Sequence, residues 1–133
     1  MDFKIEPNIK LEKEYKVADN HTAKFLGSGE VEVLATPFMI AYMEQTCLEA
    51  VQPSLPEGYT TVGIKVCISH LAASPKGATI LVKSQLLEQK DRKLTFHVEA
   101  WWKETKIGEG EHERFIINKE RFLERLKASM SQT

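Results

Sequence analysis

Thr36, Glu44 and His70 are the residues whose types and spacing could do chemistry in this chain. A hydroxyl, a carboxylate and an imidazole can together support acyl transfer. The carboxylate serves as nucleophile or base, the imidazole moves protons, and the hydroxyl orients or donates. Thr36 and Glu44 are eight residues apart in one apolar run, Thr36-Pro-Phe-Met-Ile-Ala-Tyr-Met-Glu44, so in a helix they lie roughly on one face. His70 ends an alternating stretch that follows the run and must turn back along it. The three side chains can therefore converge. Spacing alone does not single them out, since other polar trios could be drawn together in the same way.

The element that must position them is a helix over about Pro37 to Val51. Thr36 is placed to cap it, and Pro37 follows at the first helical position, where a missing N–H costs nothing. Phe38 to Met43 are apolar or aromatic without a break, and Cys47, Leu48, Ala50 and Val51 continue the theme. A helix apolar nearly all round is buried. At roughly 15 residues it is too short to span a bilayer. A carboxylate inside such a run, left unpaired, would cost several kcal/mol, which favours a functional reading of Glu44 over a structural one.

Around this helix the chain reads mostly as strands. Residues 1–10 read as a loose lead-in. Leu11 to Val17 and Thr22 to Leu26 read as short strands joined by Ala18-Asp-Asn-His21, with a third at Val31 to Leu34. From Tyr59 the apolar period becomes two. Val62, Ile64, Val66 and Ile68 share one strand face with His70. Ala78 to Glu88 is a second long strand. Leu94, Phe96, Val98, Ala100 and Trp102 alternate with polar residues in a half-buried third, and Ile107 to Ile117 is the fourth. Trp101 and Trp102 point to opposite faces. Asn118 can cap a last helix to about Ala128, with Phe122, Leu123 and Leu126 on its apolar side.

With 133 residues, 42% of them hydrophobic, the chain is expected to form one domain, 1–133, with a substantial core. Its net charge of −1 with no basic block argues against nucleic acid as a partner. No signal region or membrane-length apolar stretch stands out, so a cytoplasmic protein without a membrane partner is expected. Cys47 and Cys67 show no metal-ligand spacing and read as reduced packing residues. No metal or organic cofactor is implied.

A twisted antiparallel sheet curled round one helix is an α+β hotdog fold. Its open strand edge calls for cover, so a homodimer or a dimer of dimers is expected. The segments Thr36 to Glu44, Gly63-Ile-Lys-Val-Cys-Ile-Ser-His70 and Gly110-Glu-His-Glu-Arg-Phe-Ile-Ile117 resemble the fluoroacetyl-CoA thioesterase family of single-hotdog proteins. The resemblance runs from about Val33 to Lys119. It implies a catalytic set of Thr36, Glu44 and His70, with Gly63 and Arg114 at the substrate. It also implies hydrolysis of an acyl-CoA thioester at a dimer interface to which both subunits contribute. His97 and His112 read as structural or solvated. One departure stands out. The family's fluoroacetyl-specific member has a phenylalanine-rich lid before the helix, whereas Gly27 to Leu34 contains no phenylalanine. Fluoroacetyl selectivity is therefore not expected. The competing readings are an acyl-CoA dehydratase or hydratase, whose Asp/His motif is not found here, a non-catalytic acyl-CoA-binding or regulatory domain, and an oligomerising structural protein.

Overall fold

The computed structural model describes residues 4–131. Strands β1 (Lys10–Lys16), β2 (Tyr59–His70), β3 (Thr79–Lys90), β4 (Lys93–Trp102) and β5 (Thr105–Asn118) form one antiparallel sheet in the order β1-β3-β4-β5-β2. Helix α1 (Ala23–Leu26) is short, α2 (Thr36–Val51) packs on the concave side of the sheet, and α3 (Lys119–Met130) follows β5. The sheet order corrects the simplest reading of four successive strands, because β2 lies beyond β5 and does not pair with β3. Residues 71–78 carry the chain back across the sheet, and β2 is left as a free edge.

The centre of the sheet follows the alternation in the sequence. Leu94, Phe96, Val98 and Ala100 on β4 are fully buried, as are Ile80 and Val82 on β3. They pack against Met39, Met43, Cys47 and Val51 of α2. Full burial of one such side chain stabilises the fold by roughly 1.5–3 kcal/mol. Trp102 packs on this core, while Trp101 lies on the outer face beside Lys83 and Lys106.

Helix α2 is not wrapped all round. Met39, Tyr42, Met43, Thr46, Cys47, Ala50 and Val51 are buried, but Pro37, Ala41 and Gln45 form an exposed stripe. Ala35, not Thr36, is the N-cap, and it has no capping side chain. Its carbonyl accepts from the Phe38 and Met39 N–H groups. Thr36 is the first helical residue, which leaves its hydroxyl available to bond elsewhere.

Other expectations are corrected. Thr22 to Leu26 is not a strand, because Thr22 accepts from the Phe25 N–H and Gly27 closes the turn at φ 83°. Those two caps turn the stretch into α1. Val31 to Leu34 is not a strand either and makes only isolated bridges, Thr22 with Leu34 and Val33 with Pro75. Residues 1–3 of the lead-in lie outside the described residues, but Ile5 is buried and its N–H donates to Gln89. Asn118 caps α3 by accepting from the Arg121 N–H, and Phe122, Leu123 and Leu126 are exposed there. Cys47 is a buried packing residue whose thiol is pushed up to about 12, chiefly by burial, whereas Cys67 is exposed.

Val62, Ile64, Val66 and Ile68 do not share one face. The pairing of β2 with β5 slips between Gly63 and Lys65, which leaves Ile64 as an extra residue. Thr61 and Gly63 oppose Ile116 and Arg114, whereas Val66, Ile68 and His70 oppose His112, Gly110 and Gly108. Directly opposed residues share a face, so the concave side receives Thr61, Gly63, Val66, Ile68 and His70. Val62 points outward opposite Phe115.

Candidate active site

The first turn of α2 and the last residue of β2 meet. Thr36 Oγ1 and His70 Nδ1 form a hydrogen bond of 2.7 Å. His70 Nε2 is buried and has no partner in bonding geometry among the described residues. Burial holds the His70 imidazole below its ordinary pKa, with the Ala72 backbone working the other way. The backbone adds a donor. Phe38 and Met39 N–H bond to Ala35, Pro37 has no N–H, and no carbonyl among the described residues takes the Thr36 N–H. That amide, at the positive end of the helix dipole, can receive a developing oxyanion.

Glu44 lies in a second group. It lines an open groove with Gln45, Leu48, Thr61, Val62, Gly63 and Arg114. Its carboxylate is half-buried, and no described side chain donates a hydrogen bond to it. Gly63 faces it so closely that a Cβ there would sit 2.9 Å from Glu44 Oε2, 3.1 Å from His112 Cε1 and 3.5 Å from Arg114 Nη1. Gly63→Ala is therefore expected to fold, since the nearest atom ends a flexible side chain, and to push the carboxylate aside. Thiol release from an acyl-CoA should fall roughly 10- to 100-fold, because misplacement on the ångström scale costs about that much.

Behind Gly63 sits a buried polar pair. Arg114 is only 6% exposed and donates through Nε to Thr61 Oγ1 (2.7 Å) and through Nη2 to the Thr61 carbonyl (2.9 Å). His112, 1% exposed, bonds through Nδ1 to the Lys65 carbonyl at 2.8 Å. A carbonyl can only accept, so Nδ1 carries the proton. Nε2 then accepts from Arg114 Nη1 at 3.0 Å. His112 is thus held neutral. Burial lowers its pKa, and Arg114 adds to the effect. His112 is therefore structural, one of the two readings the sequence allows, while its place beside β2 depends on the pairing of β5 with β2, which the sequence does not show.

The depressed His70 and His112 values set a pH dependence. The unfolded imidazoles take protons near their ordinary pKa of 6.5, while the folded ones resist. The unfolded chain then binds more protons just below that pH, so stability falls as the pH falls. The melting temperature is expected to drop between pH 7 and pH 5, and the drop should shrink in His112→Asn. An unchanged slope in that variant would contradict the assignment to His112.

Within one chain the structure joins Thr36 to His70, and Glu44 to Gly63, His112 and Arg114, but it does not join all three proposed catalytic groups. Eight residues of helix rise put Thr36 and Glu44 about 12 Å apart along the axis. Segment 22–35 carries one phenylalanine, Phe25 on α1, which is exposed. On the outer face, His97, Glu99 and Glu109 come within 4.8 Å of one another, and Lys106 bonds to Glu109 at 2.8 Å.

The fluoroacetyl-CoA-specific thioesterase family model matches residues 17–120. This chain belongs to that family. A curated fluoroacetyl-CoA thioesterase from Streptantibioticus cattleyicolor is 40% identical over 91 residues, which cover 68% of this chain and 66% of that relative. The matched stretch thus spans just under two thirds of its length. The solved structure of the fluoroacetyl-CoA thioesterase FlK superimposes with a TM-score of 0.87 at 30% identity, covering 94% of this chain and 97% of that one. A thioesterase superfamily member from Thermus thermophilus gives 0.86 at 27% identity, covering 98% of each. The α+β hotdog architecture read from the sequence is therefore borne out.

Proposed function

We propose that the protein hydrolyses a small acyl-CoA thioester to the free acid and CoA. In this reading it works as a homodimer whose every site joins Thr36 and His70 of one copy to Glu44 of the other. The observation that carries it is the bonded Thr36–His70 pair at the start of α2, half a helix-length from a half-buried carboxylate without a donor. The free edge of β2 supports the dimer. Val66, Ile64 and Leu71 are exposed there, beside the bare stripe of α2. Antiparallel pairing of two β2 edges about a two-fold axis sets the His70 end of one strand against the Thr61–Gly63 end of the other. That brings the first group of one copy to the second group of its mate.

The thioester carbonyl then lies at the Thr36 N–H. Glu44 either attacks the carbonyl carbon, expelling the CoA thiolate and leaving an acyl–glutamyl anhydride that water then hydrolyses to the acid and free Glu44, or takes a proton from a water that attacks and expels the thiolate directly. In both routes His70 relays a proton from water to the departing thiolate and ends neutral, and the Thr36 hydroxyl holds the imidazole. Gly63 lets the acyl group approach Glu44, and Arg114 borders the groove. Phe25 alone does not make a phenylalanine-rich lid, so the substrate is an ordinary short acyl-CoA and not fluoroacetyl-CoA specifically. No helix among the described residues is long and apolar enough to cross a membrane, in keeping with an enzyme of a water-soluble thioester.

Thiol release over a panel from acetyl- to aryl-CoA, fluoroacetyl-CoA included, tests this. Turnover of several short acyl-CoAs is expected, with no large preference for the fluorinated one. Binding of CoA esters without thiol release would move the assignment to a non-catalytic binding module.

A further inference from the structure

We propose that Arg114 and His112 are positioning residues that clamp β2 across its bulge and so make Gly63 and His70 face the same side of the sheet. The need for such a device lies in the numbering. Gly63 and His70 are seven residues apart, and in a regular strand an odd separation puts side chains on opposite faces. β5 is regular along this stretch, and its residues 108, 110, 112, 114 and 116 all face the helix side. β2 matches them with 70, 68, 66, 63 and 61, which works only because Ile64 is an extra residue. Without the slip, or with it outside the stretch between Gly63 and His70, one of the two would turn outward. Register is weakly specified at an edge that lacks such a lock.

The lock is a chain of four hydrogen bonds. Arg114 holds Thr61 through its hydroxyl and its carbonyl, on one side of Ile64. His112 holds the Lys65 carbonyl on the other side. Arg114 Nη1 donates to His112 Nε2 and joins the two grips. Both side chains are almost wholly buried, so their bonds are exposed to little competition from water. Neither the bulge nor the clamp touches His70 directly. Their effect on it runs through the phase of the strand.

The activity arm of the test rests on the proposed thioesterase reading, and the spectroscopic arm does not. Arg114→Met and His112→Leu break the clamp, while His112→Asn keeps an N–H for the Lys65 carbonyl. In the first two, kcat should fall about 100-fold, the cost of ångström-scale misplacement, with KM within about threefold. His112→Asn should recover most of that loss. In NMR titrations, His70 should leave its buried setting in the broken variants, and its pKa should rise toward the ordinary 6.5. A folded His112→Leu with wild-type kcat, or with His70 titrating as in the wild type, would overturn the proposal. Should Arg114→Met fail to fold, the Leu and Asn variants of His112 decide it. If the wild type releases no thiol from any acyl-CoA, the functional reading falls and the titration still reports on the clamp.

Discussion

Glu44→Gln is expected to lower thiol release by about a thousandfold or more, within the range that a lost general base or nucleophile costs, while leaving the fold intact. The amide keeps the shape of the carboxylate but can neither attack a carbonyl nor take a proton from water. No described side chain donates a hydrogen bond to the Glu44 carboxylate, and the residue lines an open groove. Little structure therefore depends on its charge, and the melting temperature should move by no more than a few degrees. CoA should bind as before, since the loss lies in the chemical step and belongs in kcat. A Glu44→Gln enzyme with near-normal turnover would remove Glu44 from the mechanism.

Val66→Lys is the second change with a large expected effect. Val66 sits in the middle of the free edge, on the helix side, and is 46% exposed. In the proposed dimer it is covered by the second copy, where a lysine ammonium would be stripped of water without a partner, at a cost of several kcal/mol. In a single chain the same lysine would stay solvated and cost little. The variant should elute as a folded monomer in size-exclusion chromatography with light scattering, at concentrations where the wild type is a dimer. Its activity should fall at least 100-fold, because each proposed site needs both copies. A fully active monomer would refute the shared site.

Much of this was legible in the chain. Helix α2 announces itself through Pro37 and the unbroken apolar run, and β4 through the alternation of Leu94 to Trp102, because both patterns are written by burial. Thr36, Glu44 and His70 stand out by type and spacing; the structure bonds Thr36 to His70 and sets Glu44 in a separate group within the chain. What could not be read is long-range. β2 pairs with β5 across 38 to 59 residues, from His70 with Gly108 to Tyr59 with Asn118, which no local pattern reports. The bulge at Ile64 was hidden because Val62, Ile64, Val66 and Ile68 keep a clean alternation, yet the strand changes phase among them. The bonds of His112 and Arg114 across the bulge are hidden for the same reason. Their partners, Thr61 and Lys65, are about fifty residues away. α1 was misread because Thr22 and Gly27 act as caps over only four residues, a length at which propensity decides little.

The most direct measurement is complementation between two dead variants, Glu44→Gln and His70→Ala, mixed in equal amounts and allowed to exchange subunits. If each site takes Glu44 from one copy and His70 from the other, every mixed dimer holds one intact site and one doubly damaged site. Half the dimers are mixed, so activity should return to about a quarter of wild type. If Glu44 and His70 act within the same chain, each site in the mixed dimer carries one defect, and the mixture should stay as inactive as its components.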